Sequence, residues 1–140
     1  MEKLSESDEQ IVLSESLTLM KIPHYSLRNE ESIKSMGYLM KRKRMGWRSG
    51  VSDMMVYIPA EMSYVGRALI LFIELKKAKR VLLRASSRGK KGDLVSQNSP
   101  TPEQLDFIDK INKVKDTQGF VAYGADEAIA VVNKFLIKKT

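Results

Sequence analysis

Glu74 and Lys76 stand two residues apart at the end of an apolar run, Leu69-Ile70-Leu71-Phe72-Ile73. On a β-strand that spacing sends both side chains off one face, behind Ile70 and Phe72. A carboxylate placed beside a core is costly unless it is paired or holds a cation. A local Glu–Lys ion pair meets that requirement by itself. Asp53 adds a second carboxylate, after Gly50-Val51-Ser52 and before the apolar Met54-Met55-Val56. If the two runs pair as an antiparallel hairpin, the start of one lies beside the end of the other. Asp53 then faces Glu74. Like charges that close are unfavourable without a cation between them. An all-oxygen donor set suits magnesium or manganese rather than zinc. An adjacent lysine supplies the positive charge that phosphoryl chemistry needs.

The elements that must position these groups are legible in outline. Residues 68–76 are apolar on both faces until the end, which places the strand in the middle of a covered sheet. Residues 51–58 read as its partner, closed by Pro59. Residues 7–21 have apolar Ile11, Val12, Leu17 and Leu19 with little clear period, and are expected as an N-terminal helical extension spanning 1–22. Residues 23–140 are expected as the functional domain. Ile22-Pro23-His24-Tyr25 breaks the first helix. Ser26 is a cap for a second helix carrying Leu27, Ile33, Met36 and Met40. Residues 84–100 are polar, basic and glycine-bearing, which reads as a mobile loop. Thr101-Pro102-Glu103-Gln104 is a helix start with a capping box, continued by Leu105, Ile108 and Ile111. A strand at 120–123 follows Gly119, and Asp126 and Glu127 open a last helix. The order predicts an α/β layered domain.

Composition narrows the function. The chain has 140 residues and no cysteine, which excludes disulfides, thiolate zinc sites, iron–sulfur clusters and a cysteine nucleophile. A single histidine, His24, excludes a histidine-rich metal site within one chain. Acids at Glu2 and Glu6 replace the basic start of a signal peptide, and the longest apolar run is too short to span a bilayer. No membrane partner is expected; the expected setting is the reducing cytoplasm. The net charge of +7 is uneven: seven acids and three bases occupy residues 1–31, and 21 bases and ten acids occupy 32–140. Lys41, Arg42, Lys43, Arg44 and Arg48 form one basic cluster. Lys76, Lys77, Lys79, Arg80, Arg84, Arg88, Lys90 and Lys91 form another, with no acid among them. Such clusters attract polyanions, nucleic acid above all, although charged solvent-facing loops look the same. Trp47 either stacks on a base or packs onto the core. The eight methionines read as core filler.

Asp53, followed by Glu74-Leu75-Lys76 at the end of an apolar strand, resembles the signature of the PD-(D/E)xK nuclease superfamily. Ser52 stands where the superfamily name has proline. The closer similarity is to its VRR-NUC branch, the virus-type replication and repair nucleases. It rests on Asn29-Glu30 ahead of the aspartate strand, on Gln104 in the helix after the central strand, and on Gly119-Phe120-Val121-Ala122-Tyr123-Gly124-Ala125-Asp126-Glu127-Ala128-Ile129. It covers roughly residues 24–136. The resemblance implies a three-layer, restriction-endonuclease-like core with a small mixed sheet between helices. It implies a magnesium (or manganese) ion held by Asp53, Glu74 and the Leu75 carbonyl, with Glu30 direct or through water. Lys76 would orient or deprotonate the attacking water or stabilise the transition state, and Gln104 would position Lys76 or the phosphate. Lys41, Arg42, Lys43, Arg44 and Arg48 of the first cluster and Lys77, Arg84, Arg88, Lys90 and Lys91 of the second would bind DNA. Stand-alone members of this branch are similar to Holliday-junction resolvases, which act as homodimers; the setting implied is a phage-infected bacterial cell. Two other readings stand beside this one: a nicking or restriction-like nuclease without junction preference, and a non-catalytic nucleic-acid-binding protein.

Overall fold

A computed structural model of the chain describes residues 4–27, 35–96 and 98–138. Asn29, Glu30 and Ile33 lie outside the described residues. The element order is α1 (Glu6–Leu19), β1 (His24–Ser26), α2 (Met36–Arg44), β2 (Met54–Ile58), β3 (Leu69–Lys76), β4 (Arg80–Val81), β5 (Leu94–Val95), α3 (Pro102–Ile111), β6 (Thr117–Tyr123) and α4 (Ala125–Asn133). The fold is α/β, as the sequence predicts. One sheet has the order β1-β2-β3-β6, and β4 and β5 make a separate two-stranded ribbon. The pairs β1–β2 and β2–β3 are antiparallel, while β3–β6 is parallel.

Strand β3 is central because both its faces can be covered. Leu69, Leu71, Ile73 and Leu75 share one face, and Met54, Val56 and Ile58 of β2 join them there. That face packs into one core with Leu13 and Leu17 of α1 and Ala125, Ala128 and Val132 of α4. The opposite face carries Ile70, Phe72, Glu74 and Lys76. Helix α3 covers it, with Phe107 edge-on to Phe72 at 5.4 Å between ring centres. The layers are therefore α1 and α4, the sheet, and α3. Among the described residues no helix is long and apolar enough to cross a membrane.

Helix α1 is built into this core and is not an appendage to it. Its start is held by Ser5, whose hydroxyl accepts from the Asp8 N–H while the Asp8 carboxylate accepts from the Ser5 N–H, both at 3.1 Å. Leu13 and Leu17 are fully buried, whereas Leu19 is 84% exposed and Ile11 55%. Apolar residues on both faces are what hid the period. Leu17→Ala should cost about 2–5 kcal/mol, and Leu19→Ala less than about 0.5 kcal/mol. Denaturant unfolding of the two variants checks this. Equal, negligible losses would return α1 to the status of an extension.

Other segments depart from the expectation. Ser26 ends strand β1, and the cap of α2 is instead Ser35, whose hydroxyl accepts from the Tyr38 N–H at 3.1 Å. The segment expected as a loop contains β5 and belongs to a hairpin with β4, closed by Leu82 N–H to Asp93 O at 2.9 Å and Gly92 N–H to Leu82 O at 2.8 Å. Strand β6 begins at Thr117 and so includes Gly119. The methionines are only partly core filler, since Met36, Met40 and Met45 are 61–77% exposed.

Candidate active site

The β2–β3 register pairs Met54 with Ile73, so the next step along the hairpin sets Asp53 opposite Glu74. The antiparallel pairing expected from sequence thus brings the two carboxylates together. Asp53 Oδ2 accepts a hydrogen bond from the Leu75 N–H at 2.8 Å, which ties the strand end to the loop before β2. That loop is shaped by Gly50, at φ +93°, where a Cβ would stand 2.6 Å from the Glu103 carbonyl. Only glycine lets the chain pass so close to the first turn of α3.

Gln104 serves two purposes with the two ends of one amide. Its Oε1 accepts from the Thr101 N–H at 2.8 Å, completing the capping box. Its Nε2 donates to Glu74 Oε1 at 2.7 Å. The cap expected from the sequence and a contact with Glu74 thus meet in one side chain. Lys76 Nζ lies 3.7 Å from the same Glu74 oxygen.

Glu74 is 2% exposed and Lys76 8%. The other carboxylate oxygen, Glu74 Oε2, is buried and has no hydrogen-bond partner among the described residues. Burial, and then the negative charge of Asp53, push the Glu74 carboxyl up to about 8, against the pull of Lys76. Glu6 of α1 pushes in the same direction. A buried carboxylate oxygen with no described partner, on a residue opposite a second carboxylate, is what a bound cation would satisfy. The donor set is oxygen only, which fits a hard divalent ion. Among the described residues no three His, Asp or Glu side chains form a metal cluster; Glu30, the third carboxylate implied by the resemblance, lies outside them.

The other basic residues fall mainly in two places, the end of α2 and the β4–β5 hairpin. Lys41, Lys43, Arg44 and Arg48 are exposed on the end of α2 and the loop after it. Arg42, named with them as a phosphate contact, is 8% exposed, its guanidinium 5.0 Å from the Trp47 ring centre and 5.9 Å from that of Tyr38. Arg84, Arg88, Lys90 and Lys91 are exposed on the β4–β5 hairpin, and Lys77 is half-buried just beyond β3.

Two acids of α1 were not anticipated. Glu6 acts on Glu74 through its charge. Glu9 is buried, and its Oε2 accepts the Ala125 N–H at 2.5 Å, placing a carboxylate at the positive end of α4. The sequence carries one clue to the second: Gly124 has no side chain to cap that helix. His24 is a structural tie. Its Nδ1 lies 2.9 Å from the Ile22 carbonyl and its Nε2 2.7 Å from the Ser14 hydroxyl, joining β1 to α1.

No protein-family model matches the chain. No curated protein matches it. Among solved structures, one described as a VRR_NUC domain protein superposes with a TM-score of 0.58 at 20% sequence identity, over 96% of this chain and 90% of that one. Four strands in this order, with α3 on one side and α1 and α4 on the other, therefore make the fold seen in a VRR_NUC domain protein.

Proposed function

We propose that this protein is a metal-dependent DNA endonuclease that selects branched structure, resembling Holliday-junction resolvases and acting as a homodimer. The observation that carries the reading is Glu74 Oε2, a buried carboxylate oxygen without a partner among the described residues, on a residue set opposite Asp53 and beside Lys76. A merely structural Glu–Lys pair would satisfy both oxygens.

Asp53, Glu74 and the Leu75 carbonyl would hold the ion, with Glu30 as a further carboxylate. Held there, magnesium or manganese would supply Lewis-acid charge neutralisation at the scissile phosphate and lower the pKa of the attacking water. The protein's own groups do the rest. Gln104 donates to Glu74 Oε1 and fixes the direction in which Oε2 points. Asp53, anchored by the Leu75 N–H, keeps the strand end in register. Lys76 Nζ stands at the edge of the carboxylate pair, where as the ammonium it would orient the attacking water or meet the phosphoryl oxygens, and as the neutral amine it would accept that water's proton. The exposed bases of α2 and of the β4–β5 hairpin would hold the flanking phosphates, supplying affinity without base preference.

The test is cleavage of a four-way junction beside linear duplex of the same sequence, with magnesium, with manganese and with chelator. Paired nicks in the junction, dependent on metal, are expected. Equal cutting of linear duplex would replace the proposal with a general nuclease. Unaltered binding in chelator, and no cleavage with any metal, would make the protein a non-catalytic binder.

A further inference from the structure

The exposed bases near α2 surround a feature that phosphate binding does not require. Met40, Lys43, Arg44, Trp47, Arg48 and Ser49 line a cleft of about 510 Å³. That is within the roughly 300–1,000 Å³ range of small-ligand sites. Its aromatic wall is the chain's single tryptophan, half-buried. The Trp47 backbone N–H donates to the Arg42 carbonyl at 3.0 Å, and the guanidinium of the buried Arg42 lies 5.0 Å from the ring centre. Arg48 donates to the carbonyls of Lys43 and Trp47 at 3.0 and 2.8 Å, closing the turn. Opposite in character to this ring is Met40, 61% exposed and polarisable. The rim is cationic, and no acid occurs anywhere between Glu31 and Asp53.

We propose that this cleft receives an unpaired nucleobase of a single-stranded stretch of DNA, stacked on Trp47 while Lys43, Arg44 and Arg48 hold its neighbouring phosphates. A rigid ring, an apolar wall and a positive rim are what single-strand recognition combines. A fully paired duplex keeps its bases stacked inside and offers the ring nothing. Arg48 and Ser49 also line a second cleft of about 600 Å³, which reaches Val51, Pro102 and Glu103. Val51 is two residues from Asp53, and Pro102 opens the helix that carries Gln104. Asp106 in that second cleft is paired with Lys110 at 2.8 Å, which reduces its repulsion of phosphate. The inference deepens the nuclease reading and rests on it only for the identity of the polymer: DNA with unpaired bases, as at a branch point.

Trp47 is its own reporter. The intact chain, in chelator so that no cleavage occurs, is titrated with a short oligothymidylate, with blunt duplex and with heparin, a base-free polyanion. Strong quenching of tryptophan emission by the oligothymidylate, and little by duplex or heparin, is expected. Trp47→Ala should weaken oligothymidylate binding about 5- to 150-fold, read by anisotropy of a labelled strand, and Trp47→Phe should recover most of that loss. Equal quenching by heparin, or binding by the alanine variant within about twofold of wild type, would overturn the proposal. So would emission that changes with protein concentration alone, since a second copy would then cover the cleft. If the alanine variant does not fold, the wild-type titration decides. A protein that never cuts DNA can pass this test and an active nuclease can fail it, so the two readings fall separately.

Discussion

Glu74→Gln is expected to slow cleavage more than about 10²-fold and, without metal, to make the protein more stable in mild alkali than wild type. Both effects come from one buried carboxylate. In the folded chain Glu74 titrates at about 8, against an ordinary value of 4.5. Between those values the folded state keeps a proton that the unfolded chain has released. Stability of the metal-free protein therefore falls as pH rises through that window and levels off above it. Glutamine does not titrate, so the variant loses this slope. A divalent ion added above the window binds the carboxylate form and restores stability to the wild type but not to the variant. Unfolding by denaturant on both sides of the window, with chelator and then with magnesium, reads all of this. Asp53→Asn should also lose cleavage while keeping an acceptor for the Leu75 N–H. It also removes a charge that pushes Glu74 up, so its stability slope should flatten without vanishing. Identical slopes in wild type and both variants would mean that the carboxylates do not share a site.

The pairing of Asp53 with Glu74 was readable because it depends on few assumptions. A strand apolar on both faces is central, its preceding strand is its antiparallel neighbour, and strand alternation does the rest. Gln104 was readable as a cap for the same local reason. Its second bond, to Glu74, depends on how α3 packs across the sheet, and no spacing in the chain encodes that. The contribution of α1 was obscured by Ile11 and Leu19, apolar residues that face solvent. Strand β1 is three residues long with a half-exposed pattern, too short for alternation to show. The β4–β5 hairpin has only two residues in each strand and is shaped by turns at Gly89 and Gly92, so a composition of bases, serines and glycines read as loop. Arg42 shows the limit of counting charges: five bases in a row of eight look alike in sequence, yet one is buried against two aromatic rings.

Lys76→Arg should separate the need for a lysine at this point from the need for positive charge. Lys76 is nearly buried, with Nζ 3.7 Å from Glu74 Oε1 and its carbonyl accepting from the Gly124 N–H at 2.8 Å. The backbone is thus pinned between β3 and the start of α4, and the side chain has no room to back away. Arginine keeps the charge but brings a larger planar fork that cannot give up its proton. In a packed site the added bulk costs about 1–3 kcal/mol. It also moves the charge off the point beside the carboxylate pair. Turnover should drop more than about 10²-fold, with DNA affinity within about threefold of wild type because the total charge is unchanged. Lys77→Arg provides the comparison. Alternation sends that side chain to the other face, and its charge is likewise retained, so turnover and affinity should both stay near wild type. Single-turnover cleavage and equilibrium binding, measured on the same junction, give the two quantities independently. Equal losses at both positions would reduce Lys76 to one more phosphate contact, and the water-directing role assigned to it would have to pass to another group.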